Sequence, residues 1–215
     1  MSSRGATPAA AEPALIVFAR APEPGRVKTR LAPLLGEMGA ARLYSRMVVR
    51  TLRTAVASGY GSVELHCSPG VGHIFFRKIK KRFGVGLRSQ GRGDLGARMY
   101  RAFERALRRH PYAVLIGSDC PALRPADLRA AARTLREGAD AVLSPAEDGG
   151  YALIGLRRVS SRLFDGVGWS GPGVLSQTRR RLKRLRWRCK ELRTVWDVDR
   201  PEDVARLNRT RLLRG

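Results

Sequence analysis

An α/β domain built on a mostly parallel sheet is the fold class this sequence predicts. Short apolar runs alternate with longer amphipathic stretches, the strongest runs are apolar at every position, and turn residues mark the joins. A strand that is apolar throughout has both faces covered, as in a parallel sheet held between helical layers. A three-layer, Rossmann-like sandwich is therefore expected.

The elements follow in order. Residues 14–19 (ALIVFA) read as a fully buried first strand. A long helix is expected over 37–57, with Leu43, Met47, Leu52 and Val56 on one face. A weaker strand at 62–67 precedes a short basic helix at 74–83 and a short strand at 85–89. Asp94 is placed to cap a helix reaching Arg109, whose apolar face is Met99, Phe103, Ala106 and Leu107. Residues 113–117 (AVLIG) form the clearest buried strand, and Pro125 suits the first position of the helix that follows. Strands at 139–144 and 151–156 flank the tight segment PAEDGG. A basic helix over 174–185, an exposed strand at 188–192 and a closing helix over 201–212 complete the chain. With no internal repeat and no Ser/Gly linker, residues 13–215 are expected to form a single domain behind a disordered lead-in, 1–12.

Composition narrows the function classes. No apolar run approaches the roughly 18 residues of a membrane span. Cys67, Cys120 and Cys189 are dispersed and form no CxxC pair, which argues against a disulfide framework or a structural zinc site and fits a reducing cytoplasm. The net charge of +24 invites a nucleic-acid reading. However, 36 of the 42 basic residues are arginine, spread over nearly every expected helix, and no RNA-binding signature or zinc finger accompanies them. Arg-rich codon usage explains this, and nucleic acid is not an expected partner.

Ligands of open α/β sheets bind beyond the carboxyl ends of the strands. Three such ends carry unusual residues. After the first strand, Arg20, Arg26, Lys28 and Arg30 place four cations on one loop, the chemistry that phosphate recognition needs; an ordinary solvated basic loop reads equally well. The strongest strand ends at Ser118-Asp119-Cys120-Pro121. A carboxylate there either caps the turn or has its desolvation compensated by a divalent cation. Near the C-terminus, Asp197 and Asp199 share a face of an extended segment, and Asp199 is also spaced to N-cap the last helix. Gly91-Arg92-Gly93-Asp94-Leu95-Gly96 satisfies G-x-G-x-x-G, but the preceding Leu87-Arg88-Ser89-Gln90 is not a strongly apolar strand, so a dinucleotide site is not expected.

Taken in order, the motifs FARAPEPGRVKTRLAP (18–33), GRGDLGARM (91–99), IGSDCPAL (116–123), PAEDGGYALIGL (145–156) and DVDRPEDV (197–204) resemble the nucleotide-diphospho-sugar transferase superfamily, of glycosyltransferase-A type fold. The likeness is greatest to a bacterial family described only as glycosyltransferase-like, and it covers residues 15–207. It implies that Asp119 and Asp199 hold Mg²⁺ or Mn²⁺. It also implies that Arg20, Lys28 and Arg30 face the nucleotide phosphates, with Phe18, Ala19 and Ser118 lining the nucleotide and Gln90 and Gly93 near the base or ribose. Asp148, Gly149, Gly150 and Tyr151 would border the sugar or acceptor. Trp169 and Ser170 would share that cleft, although Trp169 reads equally as core.

Two departures bear on the reaction. Gly117 stands where a strict D-x-D would place an acid, and Pro22 and Pro24 remove two backbone donors from the first loop. The second departure weakens a triphosphate cradle and tilts the expectation to metal-dependent glycosyl transfer from a nucleotide-sugar to a small-molecule acceptor. Lys28 and Arg30 would stabilise the leaving group and Asp148 would orient or deprotonate the acceptor hydroxyl. The alternative is nucleotidyl transfer, in which a substrate attacks the α-phosphate of a nucleoside triphosphate and releases pyrophosphate. A non-catalytic nucleic-acid- or anion-binding module is the third reading.

Overall fold

The computed structural model describes residues 12–169, 171–210 and 212–213; the expected lead-in lies, but for Glu12, outside them. Seven strands form one sheet: β1 (Ala14–Arg20), β2 (Ser62–Ser68), β3 (Gly86–Ser89), β4 (Ala113–Gly117), β5 (Ala141–Pro145), β6 (Tyr151–Leu156) and β7 (Cys189–Glu191). Their order is β3-β2-β1-β4-β6-β5-β7. The β3-β2-β1-β4 half is parallel throughout. The single reversal is β6, which runs antiparallel to both β4 and β5, while β7 returns parallel to β5. The sheet is thus mostly parallel, as expected.

Six α-helices cover it: α1 (Ala32–Val56), α2 (Ile74–Phe83), α3 (Leu95–Leu107), α4 (Pro125–Arg136), α5 (Val174–Arg184) and α6 (Pro201–Thr210). Alternation along β1 separates the two cores. Leu15, Val17 and Ala19 join apolar residues of α1, α2, α4 and α6 in one cluster, and Ala14, Ile16 and Phe18 join those of α3 and α5 in the other. Three layers result. Among the described residues no helix is long and apolar enough to cross a membrane.

Local chemistry explains the boundaries. Helix α1 begins earlier than its periodicity indicates because Pro33 opens a first turn. Gly36 then breaks it with φ 67° and ψ 162°, so the regular helix does start at Glu37. Asp94 caps α3 by accepting from Ala97 N at 2.8 Å. Pro125 opens α4, and the Asp127 carboxylate accepts from Arg124 N at 2.8 Å. The final helix is capped otherwise than its spacing implied. Asp203 accepts from the backbone N–H groups of Asp199 (3.0 Å) and Arg200 (2.7 Å), so the Asp199 side chain does not serve as cap.

The middle of the sheet tolerates no added volume at Gly155 of β6. A Cβ there would stand 2.6 Å from Val142 Cγ1, 2.9 Å from Leu135 Cδ1 and 3.0 Å from Val114 Cγ2. Gly155→Ala is therefore expected to cost about 1–3 kcal/mol by overpacking. Urea unfolding should show a lower midpoint with an unchanged slope.

Candidate active site

The site begins with strand register. Phe18 of β1 lies opposite Gly117 of β4, so the chain leaves both buried strands at one level. The Arg20–Arg30 loop and the Ser118-Asp119 turn therefore start side by side. Tyr44 of α1 ties them together, its hydroxyl accepting from Arg20 N at 2.9 Å and bonding Ser118 Oγ at 2.8 Å. Burial pushes the Tyr44 phenol up, with the Ser118 bond opposing, so it acts as a neutral brace.

The third segment is laced onto these two. Val195 N donates to Pro145 O at 2.9 Å and Val198 N to Asp119 O at 3.0 Å, while the Cys120 thiol donates to Trp196 O at 3.0 Å. Arg193 forks onto Asp127 (2.8 and 2.6 Å) and also reaches Ala122 O at 2.7 Å, closing the loop after β4 against this segment. Val198 is buried, and Asp197 and Asp199 turn to the opposite face, the face their spacing assigns to both.

Lys28 fills the space between these carboxylates. Its ammonium lies 3.3 Å from Asp119 Oδ2 and 3.5 Å from Asp199 Oδ1, with the side chain only 7 % exposed. Arg30, 67 % exposed, donates to Asp199 Oδ2 at 2.6 Å. Burial alone would lower the Lys28 pKa, but the charges of Asp119, Asp199 and Asp197 outweigh it and raise it. Burial likewise opposes ionisation of Asp199, and Lys28 and Arg30 overcome it and hold its carboxyl below the usual range. Asp197 makes no ion pair among the described residues, and the Lys28 charge only partly offsets its surroundings. Desolvation, then the charges of Asp119 and Asp148, push it up to about 6.

This settles the local question at Asp119. Among the described residues no backbone N–H donates to its carboxylate, so it does not cap its turn; Lys28 is its partner. The donor set suits a hard divalent cation, since it consists of carboxylate oxygens, with Asp197 a third carboxylate close enough to feel the charge of Asp119. Among the described residues these groups nonetheless form no ready-made metal cage.

Other expected site residues are occupied within the protein. Gln90 donates from Nε2 to Ala19 O (3.0 Å) and His66 O (2.8 Å) and accepts at Oε1 from Arg98 (3.0 Å), so its amide is a spacer between β1, β2 and α3. Phe18 is buried and stacks on His66 with ring centroids 5.6 Å apart. Gly93 sits in the turn before α3 at φ 94°. What Gln90 positions is Arg98, a residue that spacing did not single out although it lies within the GRGDLGARM motif. Burial and then the neighbouring Arg20 charge lower the Arg98 pKa, with Arg101 adding to the crowding and Asp94 partly offsetting it. Cations therefore gather on this side of the loop, and an anion would relieve them.

The Asp148-Gly149-Gly150 turn faces Asp197 electrostatically. Asp148 Oδ1 accepts from Gly150 N at 2.9 Å, and Gly149 O accepts from Leu175 N at 2.9 Å. Gly149 has φ 88°, and a Cβ on it would collide with Pro172 O, so only glycine lets the segment before α5 approach this turn. Tyr151 follows with its hydroxyl buried, which pushes the phenol up. Trp169 stacks on Phe164 (6.4 Å) and covers Gly96, so it packs with the α3/α5 core. Among the described residues its buried Nε1 has no partner. Ser170 lies outside the described residues.

Comparison with known proteins places this arrangement. A profile of the bacterial family described as "Uncharacterized protein conserved in bacteria (DUF2064)" matches residues 51–171, over half of the chain. The chain belongs to this DUF2064 family. The phosphoenolpyruvate guanylyltransferase of Rubrobacter xylanophilus is 34 % identical over 187 residues, 84 % of this chain and 86 % of its own length. A crystal structure from Desulfovibrio desulfuricans, described as a nucleotide-diphospho-sugar transferase, matches at TM-score 0.85 and 32 % identity over 94 % of this chain and 88 % of that one. Glucosyl-3-phosphoglycerate synthase of Mycobacterium tuberculosis, which holds Mn²⁺ and UDP, shares the fold alone, at TM-score 0.54 and 13 % identity over 94 % of this chain and 77 % of that one. This DUF2064 member is a transferase with the nucleotide-diphospho-sugar transferase fold.

A pH dependence follows from Asp197, whose ordinary value is 3.8. With its folded pKa raised, the native protein binds the proton more tightly than the unfolded chain between about pH 4 and 6. Ionising Asp197 therefore destabilises the metal-free protein, with no effect below about pH 4 and full effect above about 6. Asp197→Asn removes this dependence. In chelator, its stability relative to the wild type should rise from pH 4 to 7 in urea titrations; a constant difference across that range would disprove the assignment.

Proposed function

We propose that this DUF2064 member is a nucleotidyltransferase, joining a nucleoside triphosphate to a small acidic acceptor with release of pyrophosphate. The observation that carries the choice is the 34 % identity, over 84 % of the chain, to a phosphoenolpyruvate guanylyltransferase. The prolines of the first loop had favoured a nucleotide-sugar donor. The side chains offset that weakness, because Lys28, Arg30, Arg20 and Arg98 supply phosphate contacts that the backbone lacks at Pro22 and Pro24. GTP and phosphoenolpyruvate, the pair implied by the relative's name, are the first substrates to assay.

In this reading an acceptor oxygen attacks the α-phosphorus and forms the new P–O bond. The bond from that phosphorus to the α–β bridging oxygen breaks, and its electron pair leaves with pyrophosphate. Lys28 and Arg30 neutralise the charge that gathers on the leaving group. Arg20 and Arg98 bind the remaining phosphate charge and hold the nucleotide against the ends of β1 and β2. Asp119 and Asp199, with Asp197 beside them, would hold Mg²⁺ or Mn²⁺, which when bound supplies Lewis-acid neutralisation of the phosphates. Where the acceptor oxygen is a hydroxyl, Asp148 takes its proton; a phosphate or carboxylate acceptor needs no base at neutral pH.

The test is product identity. With nucleoside triphosphates and acidic acceptors, phosphoenolpyruvate among them, pyrophosphate should appear stoichiometrically with the nucleotidylated product. Lys28→Gln should lower kcat by about 10²–10³. Release of nucleoside diphosphate from nucleotide-sugars, without pyrophosphate from any triphosphate, would return the assignment to glycosyl transfer.

A further inference from the structure

Resting on the reading of Asp119 and Asp199 as metal ligands, we infer that Lys28 is an internal stand-in for the divalent cation, and that its displacement by polyphosphate makes metal entry depend on the nucleotide. The geometry behind this is specific. The ammonium lies within 3.5 Å of both carboxylates and is shielded from solvent. A divalent cation held by the same oxygens would need the space the ammonium fills and would repel its charge, so the two exclude one another.

The flexible four-carbon stem of lysine lets the ammonium leave while the backbone stays anchored by the buried Val27 and Leu31. The Lys28 backbone is in the left-handed helical region (φ 48°, ψ 43°), between the buried Val27, which follows the exposed loop tip (Pro24, Gly25, Arg26), and the short turn Thr29–Leu31. Arg30 pairs with Asp199 from the solvent side, so the departure of Lys28 leaves that carboxylate one cation. An ammonium that leaves two carboxylates needs another anion, and a polyphosphate beside the first loop provides it. Metal and polyphosphate thus favour one another through Lys28, by the same factor in either order of binding.

The coupling common to all metal–nucleotide chelates is avoided by measuring Mn²⁺ alone, by electron paramagnetic resonance and calorimetry on the full chain. Lys28→Gln should bind Mn²⁺ at least about 10-fold more tightly than the wild type, and Lys28→Arg, which keeps a cation there, should not. With free Mn²⁺ held equal by metal buffering, inorganic tripolyphosphate should tighten Mn²⁺ binding more in the wild type than in Lys28→Gln. Equal or weaker Mn²⁺ binding by Lys28→Gln overturns the inference. Should that variant lose the wild-type far-ultraviolet spectrum, Lys28→Met is measured in its place against the same criterion. The ligand assignment fails separately if Asp119→Asn, in the Lys28→Gln background, leaves Mn²⁺ affinity unchanged.

Discussion

A lysine ammonium removed from water must be surrounded by negative charge, and in this chain three segments far apart in sequence combine to supply it. Lys28 comes from the loop after β1, Asp119 from the turn after β4, and Asp197 and Asp199 from the segment before α6. Much of the surrounding structure holds these three together. The β1–β4 register levels the first two, Tyr44 pins one to the other, and backbone bonds from Val195 and Val198 bring in the third. Because Asp203 caps α6, the Asp199 carboxylate is left available to the cations.

The same constraint divides the polar residues into those that act and those that position. Gln90 and Ser118 have their hydrogen-bonding groups engaged by the protein, so their contribution is to set Arg98 and the first loop in place. The Asp148-Gly149-Gly150 turn, clamped by the segment at Pro172, brings a further carboxylate towards Asp197. A cation-rich side thus meets an acid-rich side, and in the reading proposed above this arrangement serves glycosyl and nucleotidyl transfer alike. That shared requirement is why identity to a guanylyltransferase, rather than any one side chain, favours the second reaction.

The strands were legible because burial on both faces leaves an unmistakable apolar run, as in β1 and β4. The cap at Asp94 and the helix start at Pro125 were legible because they depend only on near neighbours. Asp199 misled for the same reason. Its spacing to Glu202 is that of a capping residue, and nothing local reveals that Asp203 takes that role while a lysine far away in sequence claims the carboxylate. Arg98 was passed over because one arginine among 36 carries no local signal; it stands out once Gln90 and Arg20 are seen beside it.

By itself, then, the sequence determined the alternation of strands and helices, their two-sided burial, and the short list of charged loops at the carboxyl ends of the strands. These follow from backbone propensity and hydrophobic periodicity, which act over a few residues. Only the tertiary structure decided which charges meet. It paired Lys28 with Asp119 and Asp199, left Asp197 without a cation of its own, and engaged Gln90 within the protein. Desolvation and Coulomb energies depend on distance in space, and in this chain distance in space is set by strand register.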